Sequence, residues 1–217
     1  MIPDEYIRKY MKKSVSSQRW LKEHFSDPYV KASKLDGYRS RAVYKLQQLQ
    51  EKYSFIKKGA RVVDLGAAPG GWSQLLTEYV GYSGQVFALD ILPIDPIPQV
   101  DIIQGDFTEQ AVFDELMAKL TDKTVEVVVS DMAPNFSGIK VSDQAKVMYL
   151  AELALDFAIK TLANKGVFLT KLFQGVGFEA YIKLLRQHFS SVVICKPDAS
   201  RDRSAEVFIL AAGFRGC

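Results

Sequence analysis

The chain reads as an α/β domain built on a mostly parallel sheet of seven strands, one of them antiparallel, with helices on both faces. Three observations predict this class. Apolar runs of strand length alternate with stretches of helical periodicity. Several runs, such as Val125-Glu126-Val127-Val128-Val129 and Gly166-Val167-Phe168-Leu169, are apolar enough to suit strands covered by helices on both sides. The run Val62-Val63-Asp64-Leu65 passes into Gly66-Ala67-Ala68-Pro69-Gly70-Gly71-Trp72, a glycine turn of the kind that joins a parallel strand to a helix.

Taken in order, Ser40 can cap a helix running to about Tyr53, with Ala42, Val43, Leu46 and Leu49 on its apolar side. Gly59 turns the chain into a strand at about 61–66, followed by a helix at 71–80 and a strand at 85–90. A short strand near 100–104, a helix at about 108–120 and a strand at 125–131 continue the series. A long helix from about Ser142 to Leu162 precedes a strand at 166–171, a helix at 177–188 and a strand at 191–195. The final strand, 205–212, follows the polar loop Pro197 to Ser204, which contains no helix; such a link suits an antiparallel pair.

With 217 residues, 48% hydrophobic and 24% charged, the composition is that of a globular chain with one sizeable core. The net charge of +3 is unevenly placed: Met1 to Lys45 holds eleven Lys or Arg against five Asp or Glu, leaving the other 172 residues at −3. Residues 1–38 are therefore expected to be a basic arm packed on a single α/β domain, 39–217, and a local basic excess attracts phosphate backbones. Tyr10, Trp20, Phe25, Tyr29, Tyr38 and Tyr44, interleaved with those charges, can stack on bases or pin the arm to the domain. Cys195 and Cys217 have no spacing suited to zinc or to a disulfide framework, so no metal is expected and a reducing compartment is. No stretch has the pattern of a signal peptide or the length of a membrane span, which makes the expected location cytoplasmic, with no membrane partner.

Ligands of such sheets bind beyond the carboxyl ends of the strands, where Asp64, Asp90, Asp131 and Lys171 all fall. The glycine turn is not a dinucleotide fingerprint, because Ala68 stands where G-x-G-x-x-G needs a glycine and Pro69 stiffens the middle. A strand-closing acid followed by Gly-x-x-x-Gly is instead a pattern of S-adenosylmethionine-dependent methyltransferases. Asp90, about twenty residues after the turn, can accept both ribose hydroxyls of an adenosine. Asp106, in Gln104-Gly105-Asp106-Phe107, can accept from the adenine amine. Lys171 lies between the apolar Leu169 and Leu172; burial disfavours an ammonium, so its amine is a candidate general base. An antiparallel last strand begins at this same edge and brings Glu206, Arg203 and Arg201 to it.

Four segments together carry a resemblance: Arg39-Ser40-Arg41-Ala42 with Lys45-Leu46; Asp64 to Gln74; Ser130-Asp131-Met132-Ala133-Pro134-Asn135; and Ser200-Arg201-Asp202-Arg203-Ser204 with Glu206-Val207. In this order they resemble the FtsJ/RlmE family of ribose 2′-O-methyltransferases, and closely its bacterial members acting on 23S rRNA. The likeness spans roughly Ser17 to Gly213, including Arg19 to Phe25, and is least over Met1 to Lys12. It implies a Rossmann-like fold, S-adenosyl-L-methionine as cofactor, and a catalytic tetrad of Lys45, Asp131, Lys171 and Glu206; in the mechanism expected of such a set, Asp131 stands between the two lysines and holds Lys171 in place. It further implies cofactor contacts at Gly70, Trp72, Asp90, Asp106 and Asp131. The implied substrate is a uridine in the A-loop of large-subunit rRNA within a largely assembled 50S subunit, and the enzyme is expected to act as a monomer.

Arg39, Arg41, Lys196, Arg201 and Arg203 are candidates for phosphate contacts, with Arg41 and Lys45 four apart on one helical face. Two other readings stand beside the first: a 2′-O-methyltransferase acting on tRNA, an mRNA cap or mitochondrial rRNA, and a non-catalytic RNA-binding ribosome assembly factor. The second predicts a broken tetrad or cofactor turn. A base methyltransferase is disfavoured, because Asp131-Met132-Ala133-Pro134 lacks the aromatic clamp of an Asn-Pro-Pro-Tyr motif.

Overall fold

The computed structural model describes residues 26–121, 124–201 and 204–216. Most of the expected arm, residues 1–25, and the phosphate candidate Arg203 lie outside these. The elements run α1 (Pro28–Leu35), α2 (Val43–Tyr53), β1 (Arg61–Leu65), α3 (Gly71–Val80), β2 (Gln85–Asp90), β3 (Val100–Gln104) and α4 (Gln110–Leu120), and then β4 (Val125–Ser130), α5 (Lys140–Thr161), β5 (Leu162–Phe173), α6 (Phe178–His188), β6 (Phe189–Cys195) and β7 (Glu206–Phe214).

One sheet holds all seven strands in the order β3-β2-β1-β4-β5-β7-β6. Every neighbouring pair is parallel except β5/β7 and β6/β7, so β7 is the single antiparallel strand, as its helix-free link to β6 predicts. The chain steps outward from β1 to β3 and returns on the other side of β1 as β4. This reversal makes a crevice between the carboxyl ends of β1 and β4, the place where such sheets hold ligands.

Alternation along each strand divides the core. In β1, Val63 and Leu65 pack with Phe87, Phe157 and Leu116 against α4, α5 and α6. Val62 packs with Leu46, Trp72 and Leu76 against α2 and α3. Because Asp64 shares the face of Val62, its carboxylate points toward α3, which decides its partner below.

The helix at 28–35 is absent from the sequence expectation, although its signals are present: Asp27 accepts from Tyr29 N at 3.0 Å as N-cap, and Pro28 occupies the first turn. Ser40 does accept from Ala42 N at 3.0 Å, but it caps a turn of i→i+3 bonds, and the α-helix proper starts at Val43. Strand β5 begins at Leu162, directly after α5, rather than at 166, and its register against β4 shifts between Val125 and Val127. Asn164-Lys165-Gly166 reads as a turn because this bulge carries Lys165 at φ 66°.

Candidate active site

The crevice is built by close approach of backbone. Asp131 N donates to Leu65 O at 3.1 Å, tying the end of β4 to the end of β1. A Cβ on Gly66, whose φ is +79°, would lie 2.8 Å from Met132 N, so no other residue fits where the loops after β1 and β4 touch. Gly70, at φ +106°, turns the chain into α3, and a Cβ there would lie 2.7 Å from Ile97 Cδ1.

Beside this contact lies a cleft of about 490 Å³, within the range of a small-molecule site, lined by Gly66, Ala68, Asp90, Asp106, Phe107 and the segment Asp131 to Asn135. Asp90 accepts from Ala68 N at 2.9 Å on Oδ2 and from Leu92 N at 2.8 Å on Oδ1. Each carboxylate oxygen has a second lone pair, so Asp90 can still accept from a ligand's hydroxyls. Asp106 takes the Thr108 N–H and hydroxyl at 2.9 and 2.8 Å, both on Oδ1. These acceptors, with an apolar floor, match the hydroxyls and amines of an adenosine-bearing cofactor.

The structure thus brings Asp90, Asp106 and Asp131 together in the cleft but places two of the implied cofactor residues outside its lining. The Trp72 side chain is buried, donates from Nε1 to Ala42 O at 2.8 Å, and packs on Phe208 with ring centres 5.8 Å apart. It braces α2 against the sheet, and what it can offer a ligand is the N–H at the start of α3. Gly70 contributes the turn itself.

Asp64 is fully buried; Ser73 Oγ donates to its Oδ2 at 2.7 Å, while Oδ1 has no hydrogen-bond partner among the described residues. Burial, with the nearby Asp131 and Asp90 carboxylates adding to it against the Ser73 bond, pushes its carboxyl from an ordinary 3.8 up to about 7.

The four tetrad residues meet at the same edge as two ion pairs. Lys171 Nζ donates to Asp131 O at 2.5 Å and lies 2.8 Å from Asp131 Oδ1, the latter contact being a charge pair without hydrogen-bond alignment. Lys45 Nζ lies 2.6 Å from Glu206 Oε1, which also accepts from Ser200 Oγ at 2.9 Å. The partner of Lys45 is therefore Glu206, whereas the expected mechanism sets Asp131 between both lysines. Phe208 links the pairs: it stands opposite Lys171 in the β5/β7 register, and Lys45 Nζ sits 5.5 Å from its ring centre.

The arginines expected on phosphates have internal work. Arg39 donates to the carbonyls of Pro69, Asp95 and Pro96 at 3.2, 2.7 and 2.9 Å, pinning the glycine turn to the loop after β2. Arg41 pairs with Asp27 at 3.1 Å and donates to Ala199 O at 2.6 Å, so α1, α2 and the loop before β7 are held together. Lys196 donates to Ser204 O at 2.8 Å, and Arg201 lies 3.9 Å from Asp27 Oδ2.

Sequence reasoning passes over Ser200 as a tetrad partner, and over Lys146, Tyr149 and Leu150 on the cleft wall. The latter are at i, i+3 and i+4 of α5, a ridge visible in the sequence. It also passes over Asp143, which accepts from Ser137 N, Ser137 Oγ and Gly138 N at 2.8, 2.7 and 2.9 Å and fixes the loop after β4. Those bonds hold its carboxyl below the usual range.

Fold and cleft together define a Rossmann-like methyltransferase. The chain belongs to the FtsJ-like methyltransferase family, whose model matches residues 38–214. It is 56% identical over 205 residues to ribosomal RNA large subunit methyltransferase E of Marinobacter nauticus, covering 94% of this chain and 99% of that one. Identity to the protein of the same name in Pseudomonas aeruginosa is 55% over 206 residues, covering 95% and 100%. A crystal structure described as a ribosomal RNA methyltransferase from Plasmodium falciparum aligns with a TM-score of 0.75 at 29% identity, covering 83% of this chain and all of that one.

Proposed function

We propose that this protein transfers a methyl group from S-adenosyl-L-methionine to the 2′-hydroxyl of a uridine ribose in the A-loop of large-subunit rRNA, acting on the 50S subunit as a cytoplasmic monomer. The observation that carries the reading is the Lys171–Asp131 pair at the mouth of the cleft, with Lys45–Glu206 beside it. All four residues come from one chain, so a single copy suffices. The relatives named as large-subunit rRNA methyltransferases match over nearly the full chain and support the choice of RNA.

Asp90, Asp106 and Asp131 would hold the cofactor, whose sulfonium supplies an electrophilic methyl. The reaction needs a hydroxyl aligned with that methyl and a place for its proton, and alignment supplies much of the rate. Asp131 holds Lys171 through both its carbonyl and its carboxylate, and Lys171 would accept the hydroxyl proton as the oxygen takes the methyl and the carbon–sulfur bond leaves its electron pair on the sulfur. Lys45, fixed by Glu206 and through it by Ser200, places a positive charge beside Lys171 and orients the hydroxyl.

Transfer of labelled methyl to unmodified large subunits, with naked rRNA and tRNA alongside, tests the proposal. Label in an alkali-resistant dinucleotide from the subunit supports it. Label on a nucleobase contradicts the chemistry, and label confined to tRNA contradicts the substrate.

A further inference from the structure

The loop after β4 carries an exposed aromatic side chain. Phe136 is 56% exposed, five residues after Asp131. This exposure belongs to a tethered segment, since the next two residues make three bonds to the Asp143 carboxylate. The Phe136 ring meets that of Phe173 edge-on, with centres 5.5 Å apart at 81°. Phe173 lies two residues beyond Lys171 on β5 and directly opposite Glu206 in the register with β7. The end of β5 and the loop after it are themselves tied down, with Gln144 Nε2 donating to Phe173 O at 3.4 Å and to Val176 O at 3.1 Å. The two rings thus form a fixed apolar step within a few residues of Asp131 and Lys171 and opposite Glu206. The lining of the cofactor cleft stops at Asn135, so Phe136 is not part of its wall.

We propose that Phe136, braced by Phe173, is the surface on which the base of the reacting nucleotide stacks; this rests on the ribose 2′-hydroxyl being the methyl acceptor. In a nucleotide the base is on C1′, adjacent to the carbon bearing that hydroxyl. A hydroxyl held at Lys171 therefore brings its own base to the same strand end, and two residues of strand span about 7 Å from Lys171 to Phe173. A phenyl ring has no hydrogen-bonding groups and stacks on any base, so the step positions the nucleotide without reading which base it is.

The test compares Phe136→Ala, Phe136→Leu and Phe136→Trp in the full chain, by single-turnover methyl transfer to unmodified large subunits at subsaturating enzyme and by cofactor binding. Alanine and leucine should each lower the rate about tenfold, the scale of one lost base stack, while tryptophan restores it. Cofactor affinity should be the same in all three, and the tryptophan at 136 should lose fluorescence when subunits are added. A normal rate for Phe136→Ala, or rescue by leucine as complete as by tryptophan, overturns the stacking role while leaving ribose methylation intact. If the wild-type protein places its label on a base instead, the functional reading falls, and this inference with it.

Discussion

Lys45 and Glu206 meet at 2.6 Å across the interface of α2 with β7, and both side chains are close to nine-tenths buried. An ion pair of this kind is kept out of water only because each charge neutralises the other. It also ties α2 to β7 at the point where Lys171 and Asp131 emerge. Removing one partner therefore disturbs the site as well as the fold. Glu206→Ala should lower the single-turnover rate about tenfold or more and lower the melting temperature, whereas Glu206→Gln, which can still accept from Ser200, should recover part of the stability. Parallel rate and melting measurements check both.

Arg39 donates to three carbonyls that hold the glycine turn against the loop after β2. Bonds from a charged donor contribute about 1.5–3 kcal/mol each, so Arg39→Ala should weaken cofactor binding about tenfold by loosening Ala68 and Asp90. A phosphate contact would behave otherwise: its loss leaves cofactor binding alone and reduces the salt slope of RNA affinity by about one. Calorimetry with the cofactor and RNA titrations at several salt concentrations separate the two roles.

Gly66 faces Met132 backbone at a distance no Cβ can occupy, and its φ of +79° is itself unfavourable for other residues. Gly66→Ala should cost about 1–3 kcal/mol of stability and widen the β1/β4 crevice, reducing cofactor affinity too. Equilibrium denaturation and calorimetry report the two losses.

The raised carboxyl of Asp64 makes a pH prediction. Its folded-state value, about 7, exceeds its ordinary 3.8, so the folded form binds a proton that the unfolded form has released between those values. The stability contributed by this group is fully present below about pH 4 and is lost as pH rises to about 7, amounting to a few kcal/mol. Asp64→Asn should remove that part of the slope. Thermal unfolding at intervals from pH 4 to pH 8 should show the variant gaining on the wild type as pH rises; parallel curves would contradict the assignment.

The sheet, its antiparallel strand and the strand-end acids were legible because apolar runs and glycine turns are local signals. The glycine turn marked the strand end beside which the cleft opens, and two of the acids that follow it, Asp90 and Asp106, line that cleft. Side-chain partnership was not legible. Nothing local distinguishes Lys45 paired with Glu206 from Lys45 paired with Asp131, since the choice depends on how α2 packs across β7. Arg39 and Arg41 look like phosphate ligands in a basic stretch, yet their donors are directed to carbonyls brought near only by the fold. Trp72 sits in the glycine turn by sequence, but helix α3 turns its ring inward to Ala42 and Phe208. The ridge of Lys146 and Tyr149 belongs to a helix whose periodicity reports mainly its buried side.

The most direct test of the account is the single-turnover rate of ribose methylation on unmodified large subunits for wild type, Lys171→Ala and Lys171→Arg, with cofactor binding measured in each. A general base contributes about 10²–10⁴-fold, and a guanidinium cannot give up its proton in this range, so both variants should bind cofactor normally and lose at least about a hundredfold in rate. Near-normal 2′-O-methylation by either variant would contradict Lys171 as the group that takes the proton.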